Sequence, residues 1–419
     1  MSGPETKIKQ SSGLGRYAPD LLWNLGYLGF YVLLDWVSYV EPYGNLDITP
    51  WNPPPGLSLA FLLLRGLRFS PLLYLAALLS DLVVRGFAAP LVPTLLADLL
   101  VAGGYSLAAW LLVRVFRISP RLNSIKDVLT LLGLQIPTAL AVAAGYVAIY
   151  YWAGTIPGED VGMTTLRFWI GDMIGVAIFA PLFLSLVHGS CGDRAPHATP
   201  WVNLLQGLSI LLALWIVFGG DLSQHPTLYY PLFMPLVWVG AWHGMRGVTV
   251  ALFATQIVMI VAIEEAHLNA ETLTEVQFFL LALALTSLLL GAIASERRRD
   301  RAALHDSQAR LQTIVSVTPE GVLILDAAGR VESLNPAFEN LCGRRPEDLI
   351  GQEAAALFPE LAAYFENGGE TQLRRPDGST VRVALSIGRA ELSDGRLQVV
   401  SLHDMSKHTS PSMGEVDRR

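Results

Sequence analysis

Four aspartates, Asp35, Asp81, Asp98 and Asp172, stand inside apolar runs of this chain. An ionisable side chain in such a setting is costly in lipid and marks a binding or relay function by default. Each lies within about two helical turns of one end of its run, and the order of the runs puts those ends on the same, outer side. If the four converge, they form an outward-facing pocket suited to a cation, an amine or a hydrogen-bonding metabolite. Taken singly, each is also accounted for by a helix cap or by a hydrogen bond to Ser, Tyr or Trp. Trp36, Trp51, Trp152 and Trp169 share that level. Trp51 and Trp169 join the aspartates as candidate ligand-binding residues, although interfacial tryptophans commonly form an aromatic belt. His225 and His267 are too scattered to suggest a metal, and Cys191 and Cys342 give neither a disulfide framework nor a zinc site.

The elements that must position these residues are membrane helices. Of 419 residues, 52% are hydrophobic and 16% charged, against roughly 25% charged in a soluble domain. This excludes disorder and a purely soluble enzyme, and the net charge of −7 argues against nucleic acid as a partner. Ten apolar runs lie before residue 295. Six have the length of a span, at 20–40, 91–113, 128–152, 166–187, 201–218 and 276–294. Four are short, at 55–64, 69–84, 228–242 and 248–263, forming two hairpins pinched at Arg65-Gly66-Leu67-Arg68 and His243-Gly244-Met245-Arg246. Either hairpin could be re-entrant, so eight to ten spans are expected.

Charge sets the orientation. Lys7, Lys9 and Arg16 precede the first run, and Arg65, Arg68, Arg114, Arg117, Arg121, Lys126, Arg194, Arg246, Arg297, Arg298, Arg299 and Arg301 fall on alternate connections. The other connections carry Glu41, Asp47, Glu159, Asp160, Asp221, Glu264, Glu265, Glu271 and Glu275, with Arg85 and Arg167 as exceptions. The positive-inside rule then predicts an even number of spans and cytoplasmic termini. The first 16 residues contain no apolar core of a signal peptide. Pro53-Pro54-Pro55-Gly56 leading to Gly66-Leu67-Arg68 is echoed about 180 residues later by Tyr230-Pro231 leading to Gly244-Met245-Arg246, which suggests a parallel repeat of the kind transporters use.

Trp51-Asn52-Pro53-Pro54-Pro55-Gly56, with Gly66-Leu67-Arg68 after it, resembles the Trp-Pro-Pro-x-Gly signature of the first membrane-associated sensor (MASE) family, with Asn52 inserted. Phe168-Trp169-Ile170-Gly171-Asp172-Met173-Ile174-Gly175, with Pro181 following, is similar to that family's Trp-x-Gly-Asp-x-x-Gly signature. The resemblance implies a bacterial inner-membrane input module, of the kind fused to cyclic di-guanylate enzymes or histidine kinases. It implies no ligand. The prolines and glycines of both motifs also have a structural use at helix starts and close helix contacts.

After residue 294 the composition flips to Ser295-Glu296-Arg297-Arg298-Arg299-Asp300-Arg301, and Leu304, Gln308, Leu311 and Val315 follow at heptad-like spacing. That is the seam of a short two-helix coiled coil, or the apolar face of a helix packed on its own domain. Five alternating runs follow, at 321–326, 330–334, 369–375, 379–391 and 396–403, with helical or irregular pieces between the second and third. Asp377-Gly378 and Asp394-Gly395 are hairpin signals. This order, together with Asp326-x-x-Gly329, Asn335-Pro336-Ala337-Phe338, Leu349-Ile350-Gly351 and His403-Asp404-Met405-Ser406, resembles a PAS domain. The resemblance implies a sensing or dimerising module in which Asp404 couples the last strand to the output. Cys342 lacks the context of flavin-photoreactive relatives and no histidine lies on the central helix, so no cofactor is expected.

The expected fold is thus a polytopic helical membrane bundle followed by a small α+β PAS domain with an antiparallel sheet. Its parts are a cytoplasmic arm (1–19), a membrane sensor domain (20–295), a helical linker (296–315), the PAS domain (316–408) and a tail (409–419). Gly368-Gly369-Glu370-Thr371 has only part of a diguanylate cyclase turn, and no phosphate-binding loop, zinc-protease motif or phosphoacceptor box occurs. The sequence reads as a non-enzymatic sensor and relay in the bacterial inner membrane. It works among lipids as a homodimer joined through linker and PAS domain, with Leu304, Leu311 and Asp404 transmitting the effect of an unidentified small ligand. Its output, a diguanylate cyclase, phosphodiesterase or kinase, lies on a longer chain or on a partner. A PAS-regulated transporter or carrier, and an anchor without a ligand, are the alternatives.

Overall fold

The computed structural model describes residues 14–39, 51–87, 89–122, 124–188, 200–218, 229–266, 270–364, 367–392 and 395–405. The chain forms two compact units, Met1–Asp300 and Arg301–Arg419. The connections expected to hold Glu41, Asp47 and Asp221, together with His225, His267 and Cys191, lie outside the described residues.

The first unit is helical: α1 (Leu14–Ser38), α2 (Pro54–Arg65), α3 (Ser70–Val84), α4 (Leu91–Trp110), α5 (Ile125–Trp152), α6 (Val161–His188), α7 (Pro200–Phe218), α8 (Phe233–Ala266) and α9 (Ala270–Val317), which continues past the unit's end. Over the described residues, each of the ten apolar runs lies mainly on one of these helices. Among the described residues, seven helical stretches have the length and apolarity to cross a membrane. Of the ten expected runs, the one on α1 is not among these seven, α2 is only 12 residues long, and the runs at 228–242 and 248–263 share α8. Helix α8 is bent at Gly244 (φ 66°, ψ −153°), and α2 is separated from α3 at Gly66 (φ 97°, ψ 160°). Both pinches are therefore made at a glycine with positive φ, a conformation costly for any residue carrying a Cβ.

Helix α2 is short because it meets no lipid: every residue from Pro54 to Leu63 is buried. It lies against α6, where Met173–Ala180 is equally buried. Close approach is made possible by two glycines. A Cβ on Gly56 would strike the carbonyl of Gly175, and one on Gly175 would strike the carbonyl of Asn52. Helix α7 shows the opposite pattern, exposing Leu204, Leu205, Leu208, Leu211, Leu212 and Trp215. Such a face is stable only against an apolar solvent such as lipid.

The second unit holds a five-stranded antiparallel sheet of order β2-β1-β5-β4-β3. Its strands are β1 (Gly321–Leu325), β2 (Val331–Leu334), β3 (Gly369–Arg374), β4 (Thr380–Leu392) and β5 (Gly395–Asp404). Burial alternates along β1, so one face is packed and the other is not. The packed face meets α10 (Pro336–Cys342), α11 (Ala354–Leu357) and α12 (Pro359–Ala362) through Leu323, Phe338, Phe358, Val383 and Leu402. The five expected strands match these to within a residue or two.

Candidate functional site

The two family-like motifs of the membrane unit meet in space. Asn52, just ahead of α2, donates its backbone N–H to Gly171 O at 3.1 Å and its side-chain amide to Asp172 Oδ1 at 2.7 Å. Tyr105 of α4 donates its hydroxyl to the other oxygen, Asp172 Oδ2. The loop before α2 is thereby fastened to the middle of α6 by a carboxylate that is 1% exposed.

Beside this junction is a cavity of about 70 Å³ lined by Asp35 of α1, Asp81 of α3, Asp98 of α4 and Asp172 of α6. The four aspartates singled out in the sequence thus come together from four helices. Among them is Arg85, just after α3. Its Nη1 donates to Asp35 Oδ2 at 2.6 Å and to Asp81 Oδ1 at 3.0 Å, and its Nη2 donates to Asp35 Oδ1 at 3.1 Å. Ser80 Oγ donates to Asp35 Oδ2 at 2.6 Å. Asp98 differs from the rest, because its Oδ2 is buried without a hydrogen-bond partner among the described residues. Tyr31, Tyr146 and Phe168 add aromatic walls.

The two candidate tryptophans do not line this cavity. Trp51 is buried, with its ring centroid 5.6 Å from that of Phe179, and Trp169 gives its indole N–H to Ile136 O at 3.1 Å. Trp36 and Trp152 are exposed, as a belt residue would be. Arg85, Asn52, Ser80 and Tyr105 are site residues that sequence reasoning did not select. For Arg85 a signal existed: it is a basic residue on an otherwise acidic set of connections, four positions after Asp81.

At the far end of the membrane unit, hydrogen bonds fasten α9 to α5 and α8. Glu296 Oε2 accepts the backbone N–H of Ile125, the first residue of α5, at 2.7 Å. Ser295 Oγ accepts Met245 N at 2.9 Å, beside the α8 bend, and Arg298 Nη1 donates to Trp242 O at 2.9 Å. Beyond these, Leu304 and Leu311 are both 61% exposed, so no described residue covers the linker seam.

In the second unit, Asn335 joins the end of α9 to the sheet. Its Nδ2 donates to Val315 O at 3.0 Å and Glu320 O at 2.9 Å, while its Oδ1 accepts from Val322 N and Phe338 N. Asp404 stands at the end of β5, half-buried and opposite Val383. Its neighbour His403 lies with Nδ1 3.6 Å from Glu320 Oε1, so β5 ends beside the α9–β1 connection. Cys342 is a buried thiol, and burial pushes its pKa above the ordinary value.

A polytopic helical membrane domain followed by a PAS domain defines a membrane signalling sensor. The family model for MASE1 matches residues 27–298, and a PAS domain model matches residues 319–407. The chain belongs to the MASE1 family. Among solved structures it is similar to the PAS domain of an HTR-like protein from Haloarcula marismortui, at 20% identity over 26% of this chain and 99% of that one, with a TM-score of 0.24. It is also similar to the PAS domain of nitrogen regulation protein NR(II) from Vibrio parahaemolyticus, at 15% identity over 22% of this chain and 96% of that one, with a TM-score of 0.20.

Proposed function

We propose that the chain is the input and relay of a bacterial inner-membrane signalling protein, and that the cavity of Asp35, Asp81, Asp98 and Asp172 is its sensory site. The convergence of carboxylates from four separate helices on one cavity carries this reading. A ligand there bears on α1, α3, α4 and α6 together and so biases how these helices pack. The distribution of Lys and Arg in sequence supports a cavity open to the periplasmic side, with both termini in the cytoplasm.

The change passes to α9 through its contacts with α5 and the α8 bend, and along the linker to Asn335 and the sheet. Exposed Leu304 and Leu311 support pairing with a second copy, through which a shift of one helix becomes a change in a dimer. The output is diguanylate cyclase, phosphodiesterase or histidine kinase activity, carried on the same protein or on a partner.

The test is thermal unfolding of the purified full chain against a panel of cations, amines and neutral metabolites. A compound binding the cavity raises the melting temperature of the wild type by mass action. The rise is lost in Asp98→Asn and Asp172→Asn. A well-folded protein whose response to every compound is unchanged by both substitutions removes the cavity as the sensory site.

A further inference from the structure

The cavity sets four carboxylates against one guanidinium, and their hydrogen bonding is uneven. Asp35 receives Arg85 on both oxygens and Ser80 on one, Asp81 receives Arg85, and Asp172 receives Asn52 on Oδ1 and Tyr105 on Oδ2. Asp98 is only 7% exposed, yet among the described residues its Oδ2 has no hydrogen-bond partner. Burying a carboxylate is unfavourable unless a positive or hydrogen-donating group compensates it. Arg85, the one cation among the described residues that line the cavity, is engaged by Asp35 and Asp81. The site therefore lacks a hydrogen-bond donor to Asp98 Oδ2 among the described residues.

The chemistry of that donor is narrowed by its surroundings. Tyr31, Tyr146 and Phe168 line the same cavity, and aromatic faces attract organic cations. A hard metal ion instead needs several oxygen ligands, and no group of three or more His, Cys, Asp or Glu among the described residues is placed to hold one. The volume of about 70 Å³ is roughly half that of an engineered cavity that admits benzene. Space and charge together favour a compact cation with N–H donors.

We propose that this cavity binds a small primary ammonium group, with an N–H directed at Asp98 and its charge flanked by the aromatic walls. The proposal rests on the cavity being the sensory site and adds the class of ligand. The test uses the full chain in lipid nanodiscs at constant ionic strength, with methylammonium, tetramethylammonium, magnesium, acetate and acetamide as probes. Methylammonium is expected to raise the melting temperature saturably and above the sodium reference, while tetramethylammonium, which has no N–H, does not. In Asp98→Asn, checked for folding by size exclusion and circular dichroism, the apparent methylammonium affinity falls at least tenfold.

A response to magnesium or tetramethylammonium equal to that of methylammonium would overturn the assignment, as would a methylammonium response retained in folded Asp98→Asn. Stabilisation by acetate or acetamide that Asp98→Asn abolishes would overturn the ammonium class and leave the sensory cavity standing. Silence from every probe and from the wider metabolite panel would overturn both. If Asp98→Asn does not fold, the ranking of probes on the wild-type chain still decides.

Discussion

Arg85 donates through both Nη atoms to Asp35 and through Nη1 to Asp81, so removing it leaves two buried carboxylates without their shared counter-charge. Breaking a buried pair from one side costs about 3–5 kcal/mol. Arg85→Met is therefore expected to lower stability on that order, measured by thermal unfolding in detergent, and adding Asp35→Asn to it should recover part of the loss. Full independence of the two substitutions would mean that the pair contributes nothing. In the PAS unit, burial raises the Cys342 pKa above the usual thiol value. A group whose pKa is raised by folding contributes stability that is complete below its unfolded pKa and lost as pH rises past it. Cys342→Ala should thus lessen the loss of PAS stability above about pH 9, read by hydrogen exchange of β1 and β5. The four aspartates were visible in the sequence because a charged side chain stands out in an apolar run, where its desolvation is costly. Asn52 and Tyr105 were not, since they reach Asp172 across 120 and 67 positions and only the fold makes them neighbours.

Helices α2 and α6 depend on each other through backbone contact rather than side-chain fit. Gly175→Ala puts a methyl group into the carbonyl of Asn52, which must then leave α6 and give up its bond to Asp172. A loss of about 1–3 kcal/mol is expected from overpacking of this kind, with the stabilising response to cavity ligands reduced as well. Wild-type stability and response in Gly175→Ala would show that the loop is not held as described. The strands were readable because period-two alternation and the Asp377-Gly378 turn are local signals, while Asp394 lies outside the described residues. Helix α2 was harder: at 12 residues it looks like half of a hairpin, and only its complete burial against α6 accounts for its length. The bend of α8 was apparent as a pinch at Gly244, but not that the helix continues on both sides of it.

The chain joins a membrane unit to a PAS unit through one helix, α9, whose last apolar run continues into the charged linker. The division into two units was evident from composition, because the charge-poor region ends abruptly near Ser295. What composition does not carry is the convergence of distant aspartates from α1, α3, α4 and α6 on one cavity. A sensor of this design requires that the state of the cavity be felt at the linker. The most direct measurement is the rate of disulfide cross-linking of Leu304→Cys in membrane vesicles, in a chain whose own Cys191 and Cys342 are replaced by Ala, with and without Asp98→Asn. Cross-linking between two copies at a rate that changes when Asp98 is replaced by Asn is the expected result. An unchanged rate, with the cavity shown to be altered by loss of ligand response, would contradict transmission from the cavity through α9.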